Sequence, residues 1–402
     1  MATAQQDIEY YLEAARELAV KVAAAADRIE GDRQIPSALA EEMADRGFFR
    51  LLLPRSLGGA QLDHPDFLRI LEVFAAVDAS TGWCLNQNNV FSTNSLRMPE
   101  QTAREIWAEQ RAVVTNGPPT ASSQAVPVDG GYKLNGRWHF SSGSSHATWI
   151  AALAPISNGS SGSPTQDASK DRAGTRIMLM PKEAVTFLDF WQVKGLRGTA
   201  SFSFEVEDLF IPNDRSYDPA NLPREDGALY VIPMTLLFGS GFATVALGVA
   251  RAALDTAISV AGAKTPGRTS TLLGNQSSTQ RIIGEAEAIW GSSKAFLRQS
   301  ASSAWKGAQK TSAQKTTGQK NRALPTEERI NLRLAATHAI RMAAQVVDLS
   351  YNLCGSDAIF ETNPIQRQFQ DIHVITQHAQ GRLSHYETAG QYFLGLEPEG
   401  NF

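Results

Sequence analysis

Cysteine is nearly absent: only Cys84 and Cys354 occur. Each sits among apolar residues with no CxxC partner, which excludes a disulfide framework or a cysteine-based zinc site and suits a reducing cytoplasm. Charge of one sign is also lacking. A net charge of −4 leaves no concentrated basic face, so no nucleic-acid partner is expected. No stretch reaches the roughly 18 apolar residues that span a bilayer. The most apolar one, residues 231–250, carries Pro233, Gly239, Ser240, Gly241 and Gly248, and reads as a buried helix with its approach loop. No membrane association is expected. Met1 to Tyr10 is polar and acidic, without the basic and then apolar order of a secretory leader. No His, Cys, Asp or Glu cluster has metal-ligand spacing, so no metal is expected. No G-x-G-x-x-G follows a strand pattern, so a tightly held nicotinamide dinucleotide is not expected either.

What is present is a chain of 402 residues, too long for one ordinary core. Residues 7–110 have the alanine-rich spacing of helices over Tyr11 to Ala26, Pro36 to Arg46, Pro65 to Val77 and Pro99 to Glu109. Proline near the first turn fits, because the missing N–H would be unpaired there anyway. The texture changes near Ala112. Strands are predicted at Tyr132 to Leu134, Trp149 to Ala154, Arg176 to Met180 and Ser201 to Val206, with a turn at Asp129-Gly130-Gly131. Ser157 to Gly174 reads as a hairpin tip. From Leu222 the helical pattern returns. Thr235 to Ala261, Ser278 to Trp305, Glu327 to Cys354 and His373 to Leu394 supply the four helices of a bundle, with Ala308 to Asn321 a solvated connection. The expected domains are helical over 1–111, β over 112–221 and a four-helix bundle over 222–402. A ligand belongs in the crevice between the β part and the helices.

Local motifs carry a resemblance. Leu53-Pro54 with Gly58-Gly59, Gly130 through Gly136, Lys194 through Thr199 and Pro364 through Asp371 (Gln370 replacing an arginine) follow the order seen in the acyl-CoA dehydrogenase superfamily. Trp138-His139-Phe140-Ser141-Ser142-Gly143 and Asp371 through His378 resemble its reduced-flavin-dependent, two-component (group D) monooxygenase branch. The resemblance implies a mainly α fold with an N-terminal helical domain, a small β-barrel domain and a C-terminal bundle. It also implies a homotetramer taking reduced FAD or FMN from a separate NAD(P)H-flavin reductase. With O2, such an enzyme oxygenates a small aromatic or heteroaromatic molecule through a C4a-hydroperoxyflavin, the chemistry of aromatic compound degradation. The alternatives are an acyl-CoA dehydrogenase with FAD and a non-catalytic relative that binds flavin or an acyl ligand.

A dehydrogenase needs a carboxylate to remove the α-proton of its thioester. The positions at which the family carries one, about eight residues past Asp371 and within Leu236 to Leu254, have none. His378 stands there instead. It either packs within the last helix or, as the resemblance implies, activates substrate or peroxide. His373 and His385 are read as structural. The resemblance assigns Ser141 to flavin N5, with Ser142 as its neighbour and Trp138 stacking nearby. Arg197, Thr199 and Ser201 suit a phosphate group. Arg268 and Gln280, with Gly355 and Ser356, correspond to cofactor contacts that the family makes across a subunit boundary. Residues 83–94 lack the histidine common in aromatic hydroxylases and offer amides instead. Trp83, Asn88, Ser92 and Phe238 are therefore expected to line a pocket for an indole-type ring, a sulfur heterocycle or an amine rather than the usual phenol.

Overall fold

A computed structural model describes residues 2–157, 174–267, 269–314, 323–400 and 402. The N-terminal helices are α1 (Ala2–Asp32), α2 (Ser37–Asp45), α3 (His64–Ala75), α4 (Ala79–Ser92) and α5 (Glu100–Trp107). Pro65 lies inside the first turn of α3, whereas Pro36 and Pro99 sit one residue earlier, as N-caps in extended backbone. Proline's fixed φ sets the entry angle in both cases. Asp78 caps α4, accepting the Thr81 N–H at 2.6 Å.

Eight strands follow: β1 (Val114–Gly117), β2 (Gln124–Val128), β3 (Gly131–Ser141), β4 (Trp149–Pro155), β5 (Thr175–Pro181), β6 (Thr186–Leu188), β7 (Phe202–Pro212) and β8 (Ser216–Tyr217). They form two four-stranded sheets, ordered β1-β4-β5-β8 and β2-β3-β7-β6. Asp129-Gly130 makes the two-residue turn of the β2–β3 hairpin, with Gly130 at φ +77. Ala125, Leu134, Trp138, Ile150, Met178 and Phe204 belong to one buried cluster drawn from both sheets. Of the Ser157 to Gly174 stretch, residues 158–173 lie outside the described residues.

The remaining helices are α6 (Ala228–Val231), α7 (Met234–Ala263), α8 (Ser277–Ala313), α9 (Thr326–Cys354), α10 (Pro364–Gln377) and α11 (Ser384–Phe393). α8 runs on to Ala313, so the first part of the expected connection is helical, and residues 315–322 lie outside the described residues. Helix α7 is long and apolar enough to cross a membrane, but 83% of its most apolar window is buried inside the protein. It packs against α3 and α4 as well as α9 and α10. The helices before and after the sheets thus share one hydrophobic core, from Leu18, Phe48 and Phe67 to Phe242, Val245 and Ile340. Gly241 makes the α7–α4 approach possible: a Cβ there would lie 1.8 Å from Asn86 Oδ1.

The expected last helix, His373 to Leu394, is in fact two. His378 leaves the helical region at φ −67, ψ 149 and is followed by a 3₁₀ turn over Ala379–Gly381. Its own Nδ1 accepts the Gln380 N–H at 3.3 Å, supporting the new turn.

Candidate active site

The break after α10 places the His378 ring edge-on to Trp83 of α4 (5.1 Å, 89°) and to Phe242 of α7 (4.8 Å, 70°). Trp83 and Phe242 stack at 3.8 Å, and Phe238, one turn before Phe242, continues the stack at 5.9 Å. Four rings from three helices therefore meet where the bundle faces the β sheets. Phe242 was missed in the sequence, although its spacing of four from Phe238 puts both on one helix face.

Burial, reinforced by Arg382, pulls the His378 imidazole down to about 4, so it is uncharged near neutrality. Because Nδ1 accepts a backbone N–H, the neutral ring carries its hydrogen on Nε2. His378 beside the cluster therefore carries a donor at Nε2, which has no lone pair with which to take a proton.

The β side of the site is a chain of hydroxyls. Trp83 Nε1–H donates to Ser142 Oγ at 3.1 Å. Ser142 Oγ lies 2.7 Å from Ser201 Oγ, Ser201 Oγ 2.6 Å from Thr199 Oγ1, and Thr199 Oγ1 2.8 Å from the Leu196 carbonyl. Phe140, Leu196 and Ala200, which flank this chain, have φ of 55, 52 and 44. Non-glycine residues held in that region cost about 1–3 kcal/mol each and gather where a site imposes its geometry. The segment 196–201 is pinned from beneath, because Asp371 accepts the Leu196 N–H at 2.6 Å.

Several expected residues sit elsewhere. Ser141 Oγ is sealed without a partner on the β1 side, 3.2 Å from where a Gly117 Cβ would stand, so the hydroxyl beside Trp83 is that of Ser142. Trp138 is spent in the sandwich core, stacked on Phe204 and donating to the Leu153 carbonyl. The Arg197 guanidinium is engaged by the Glu30 and Val193 carbonyls and by the Glu30 carboxylate at 3.2 Å, fastening its loop to α1 rather than facing a phosphate. Ser92 Oγ bonds back to the Asn89 carbonyl, nine residues along α4 from Trp83. Asn88 donates to the Val114 carbonyl at 3.3 Å and accepts from His146 Nε2 at 3.2 Å, so its amide joins α4 to the sheet instead of waiting for a substrate. His146, from the loop after β3, is thus the imidazole that reaches this stretch of α4. Gln280 bonds to the Gly274 carbonyl, and the Lys264 ammonium bonds to the Cys354 carbonyl beside Gly355 and Ser356. Lys264 follows Phe242 by 22 residues, about 33 Å of helix at ~1.5 Å per residue. One chain therefore does not bring Gln280, Gly355 or Ser356 to the aromatic cluster. Arg268 lies outside the described residues. His373 pairs with Asp348 at 3.0 Å and His385 with Thr337 at 2.9 Å.

The sequence of the two helical parts decides the family. The model of the acyl-CoA dehydrogenase N-terminal domain matches residues 5–110, and that of the acyl-CoA dehydrogenase C-terminal domain matches residues 240–382. The chain belongs to the acyl-CoA dehydrogenase family. Among curated relatives of this family it is similar to an indole-3-acetate monooxygenase of Pseudomonas putida, 28% identical over 92% of this chain and 90% of the relative. It is also similar to the oxygenase component of an FADH2-dependent resorcinol hydroxylase of Rhizobium sp., 24% identical over 94% and 92%. Among solved structures, XiaF from Streptomyces sp. in complex with FADH2 and glycerol superposes with a TM-score of 0.87 at 21% identity, covering 100% of this chain and 98% of that one.

For a member of the acyl-CoA dehydrogenase family, the carboxylates are oddly placed. Asp371 is buried, and burial raises its carboxyl to about 8, the range a base could use. Yet it lies under the 196–201 segment, bonded to backbone, and the described bonds bring no carboxylate to His378 or Trp83. An acid whose folded pKa is raised keeps its proton where the unfolded chain has lost it. Its contribution to stability is therefore full below about pH 4 and lost as pH rises through about 8. Asp371→Asn should remove that slope. Melting curves of variant and native protein should diverge from about pH 5 to 8, with the variant gaining relative stability at the alkaline end. Parallel curves would mean that Asp371 is ionised in the fold.

Proposed function

We propose that this chain is the oxygenase component of a two-component flavin-dependent monooxygenase. It takes reduced FAD or FMN from a separate reductase and uses O2 to oxygenate a small aromatic or heteroaromatic molecule. The observation that carries the reading is the pairing of a buried aromatic cluster with a neutral donor. Trp83, Phe238 and Phe242 form a stacked aromatic wall, and His378, edge-on to Trp83 and Phe242, carries an uncharged Nε2–H. The relatives named as monooxygenases support it, as does the absence, among the described residues, of a carboxylate bonded to His378 or Trp83.

The residues fit a reduced flavin. The Ser142 hydroxyl retains a lone pair for a flavin N–H, and the Phe140 ring two residues earlier is 61% exposed. When bound, the flavin supplies the oxygen-activating chemistry. Phe242 and Trp83, almost fully buried, exclude water from the reacting atoms. Ser142 would hold the cofactor, and His378 would donate to oxygen. Because His378 cannot accept a proton on Nε2, a substrate that needs no deprotonation, such as an indole or a sulfur heterocycle, suits the site better than a phenol. We further propose a homotetramer in the cytoplasm. Gln280, Gly355 and Ser356, too distant within one chain, would meet the flavin of a neighbouring copy. Ile359 and Phe360 stand exposed beside Gly355 and Ser356, as a subunit contact requires.

The test supplies chemically reduced FAD or FMN, in air, with indole-3-acetate, indole, resorcinol or dibenzothiophene. An oxygenated product from at least one aromatic is expected. Quantitative diversion of the flavin's electrons to hydrogen peroxide with every aromatic, together with bleaching of bound oxidised FAD by acyl-CoAs, would replace this reading with a dehydrogenase.

A further inference from the structure

Each oxygen–oxygen contact in the hydroxyl chain needs one hydrogen between its atoms, and the two ends fix which way every hydrogen points. The Leu196 carbonyl has none, so at 2.8 Å the Thr199 hydroxyl must donate to it. Thr199 then has no hydrogen for Ser201, so at 2.6 Å Ser201 donates to Thr199. By the same step Ser142 donates to Ser201 at 2.7 Å. At the other end the Trp83 indole can only donate, and it donates to Ser142. All four hydrogens therefore run one way, from Trp83 to Leu196. What remains on Ser142 Oγ is a single lone pair.

Resting on the flavin reading above, we infer that Ser201 and Thr199 are positioning residues that make Ser142 an acceptor only, and that this order selects reduced over oxidised flavin. Reduced isoalloxazine carries a hydrogen on N5 and can donate to that lone pair. Oxidised isoalloxazine carries a lone pair on N5 and would face another lone pair. The choice matters to an oxygenase that receives its flavin by diffusion, since oxidised flavin left in the site blocks the next turnover. Ser141 does not relax the selection, because its hydroxyl is sealed on the β1 side.

The experiment measures the dissociation constants of reduced and oxidised FAD and FMN, anaerobically, for the native chain and three variants whose melting curves confirm folding. The native protein should prefer reduced flavin. Ser201→Ala frees the Ser142 hydrogen, and Thr199→Val releases the Ser201 hydrogen, which lets the order reverse. In both, the preference should fall by about tenfold, the scale of one hydrogen bond, chiefly through tighter oxidised flavin. Trp83→Phe removes the terminal donor but leaves the Ser142 hydrogen on Ser201, so the preference should persist. A ratio unchanged in both Ser201→Ala and Thr199→Val, or lost in Trp83→Phe, overturns the inference while the flavin reading stands. Failure of the native chain to bind either flavin overturns both.

Discussion

His378→Ala should lower the rate of substrate oxygenation by about 10²-fold, the usual loss when one preorganised donor is removed. Consumption of reduced flavin should continue, with its electrons released as hydrogen peroxide. The structure distinguishes a donor from a base here. Nδ1 is occupied by the Gln380 N–H, and burial holds the ring near pKa 4. The native rate should therefore show no histidine limb between about pH 5.5 and 8. His378→Asn, which keeps an N–H, should recover part of the coupling. An acid limb near pH 6.5, abolished in His378→Ala and not rescued by asparagine, would make His378 a base instead. Product and peroxide assayed together across pH decide between them.

Gly195→Ala should damage the fold and the site together. A Cβ at Gly195 would lie 2.3 Å from the Gln370 carbonyl oxygen and 2.7 Å from the Asp371 nitrogen. These are backbone atoms of α10, so no side-chain rotation relieves the clash. The loop must move away from the Asp371–Leu196 bond, which anchors the hydroxyl chain. A cost of about 3 kcal/mol or more is expected, at the upper end for overpacking. A lower melting temperature and lost flavin binding should appear together. Gly262→Ala is the control. Nothing lies within 4 Å of its Cβ, and alanine in a helix should be neutral or stabilising by up to about 1 kcal/mol. Equal melting temperatures for the two variants would contradict the packing described for α10.

The long helices were legible because alanine-rich periodicity and proline starts reflect backbone physics that needs no tertiary context. The turn that opens β3 was legible from Asp129-Gly130 for the same reason. The short strands β1, β2, β6 and β8 were not, since two to five residues carry little period, and β1 is ordered by its parallel pairing with β4. The break at His378 was hidden too. Helical spacing continues through it, and the turn depends on a bond from its own ring.

Residue type indicated the chemistry of the candidate site better than its positions. Ser141 and Ser142 are interchangeable in sequence, but Ser141 ends β3 with its hydroxyl against β1 while Ser142 opens the turn and meets Trp83. Trp138 and Arg197 have side chains that suit a flavin, yet the first fills the sandwich and the second holds α1. The amides of α4 looked available, but Asn89 bonds the Leu51 and Leu52 N–H groups and the Phe48 carbonyl, whereas Asn86 donates to the Phe238 carbonyl and keeps a buried Oδ1 without a partner. Asn89 is satisfied by backbone, as buried amides normally are. Phe242 could have been found from its spacing to Phe238. His146 could not, since its approach to Asn88 depends on the loop after β3.

The most direct test is oxygen labelling. Protein loaded with reduced flavin and indole would be exposed to 18O2, and the product and remaining flavin analysed by mass spectrometry. The account predicts one 18O atom in the aromatic product, with less label incorporated and more peroxide formed in His378→Ala. An unlabelled aromatic, recovered intact while acyl-CoA under anaerobic conditions reduces the bound FAD, would contradict it.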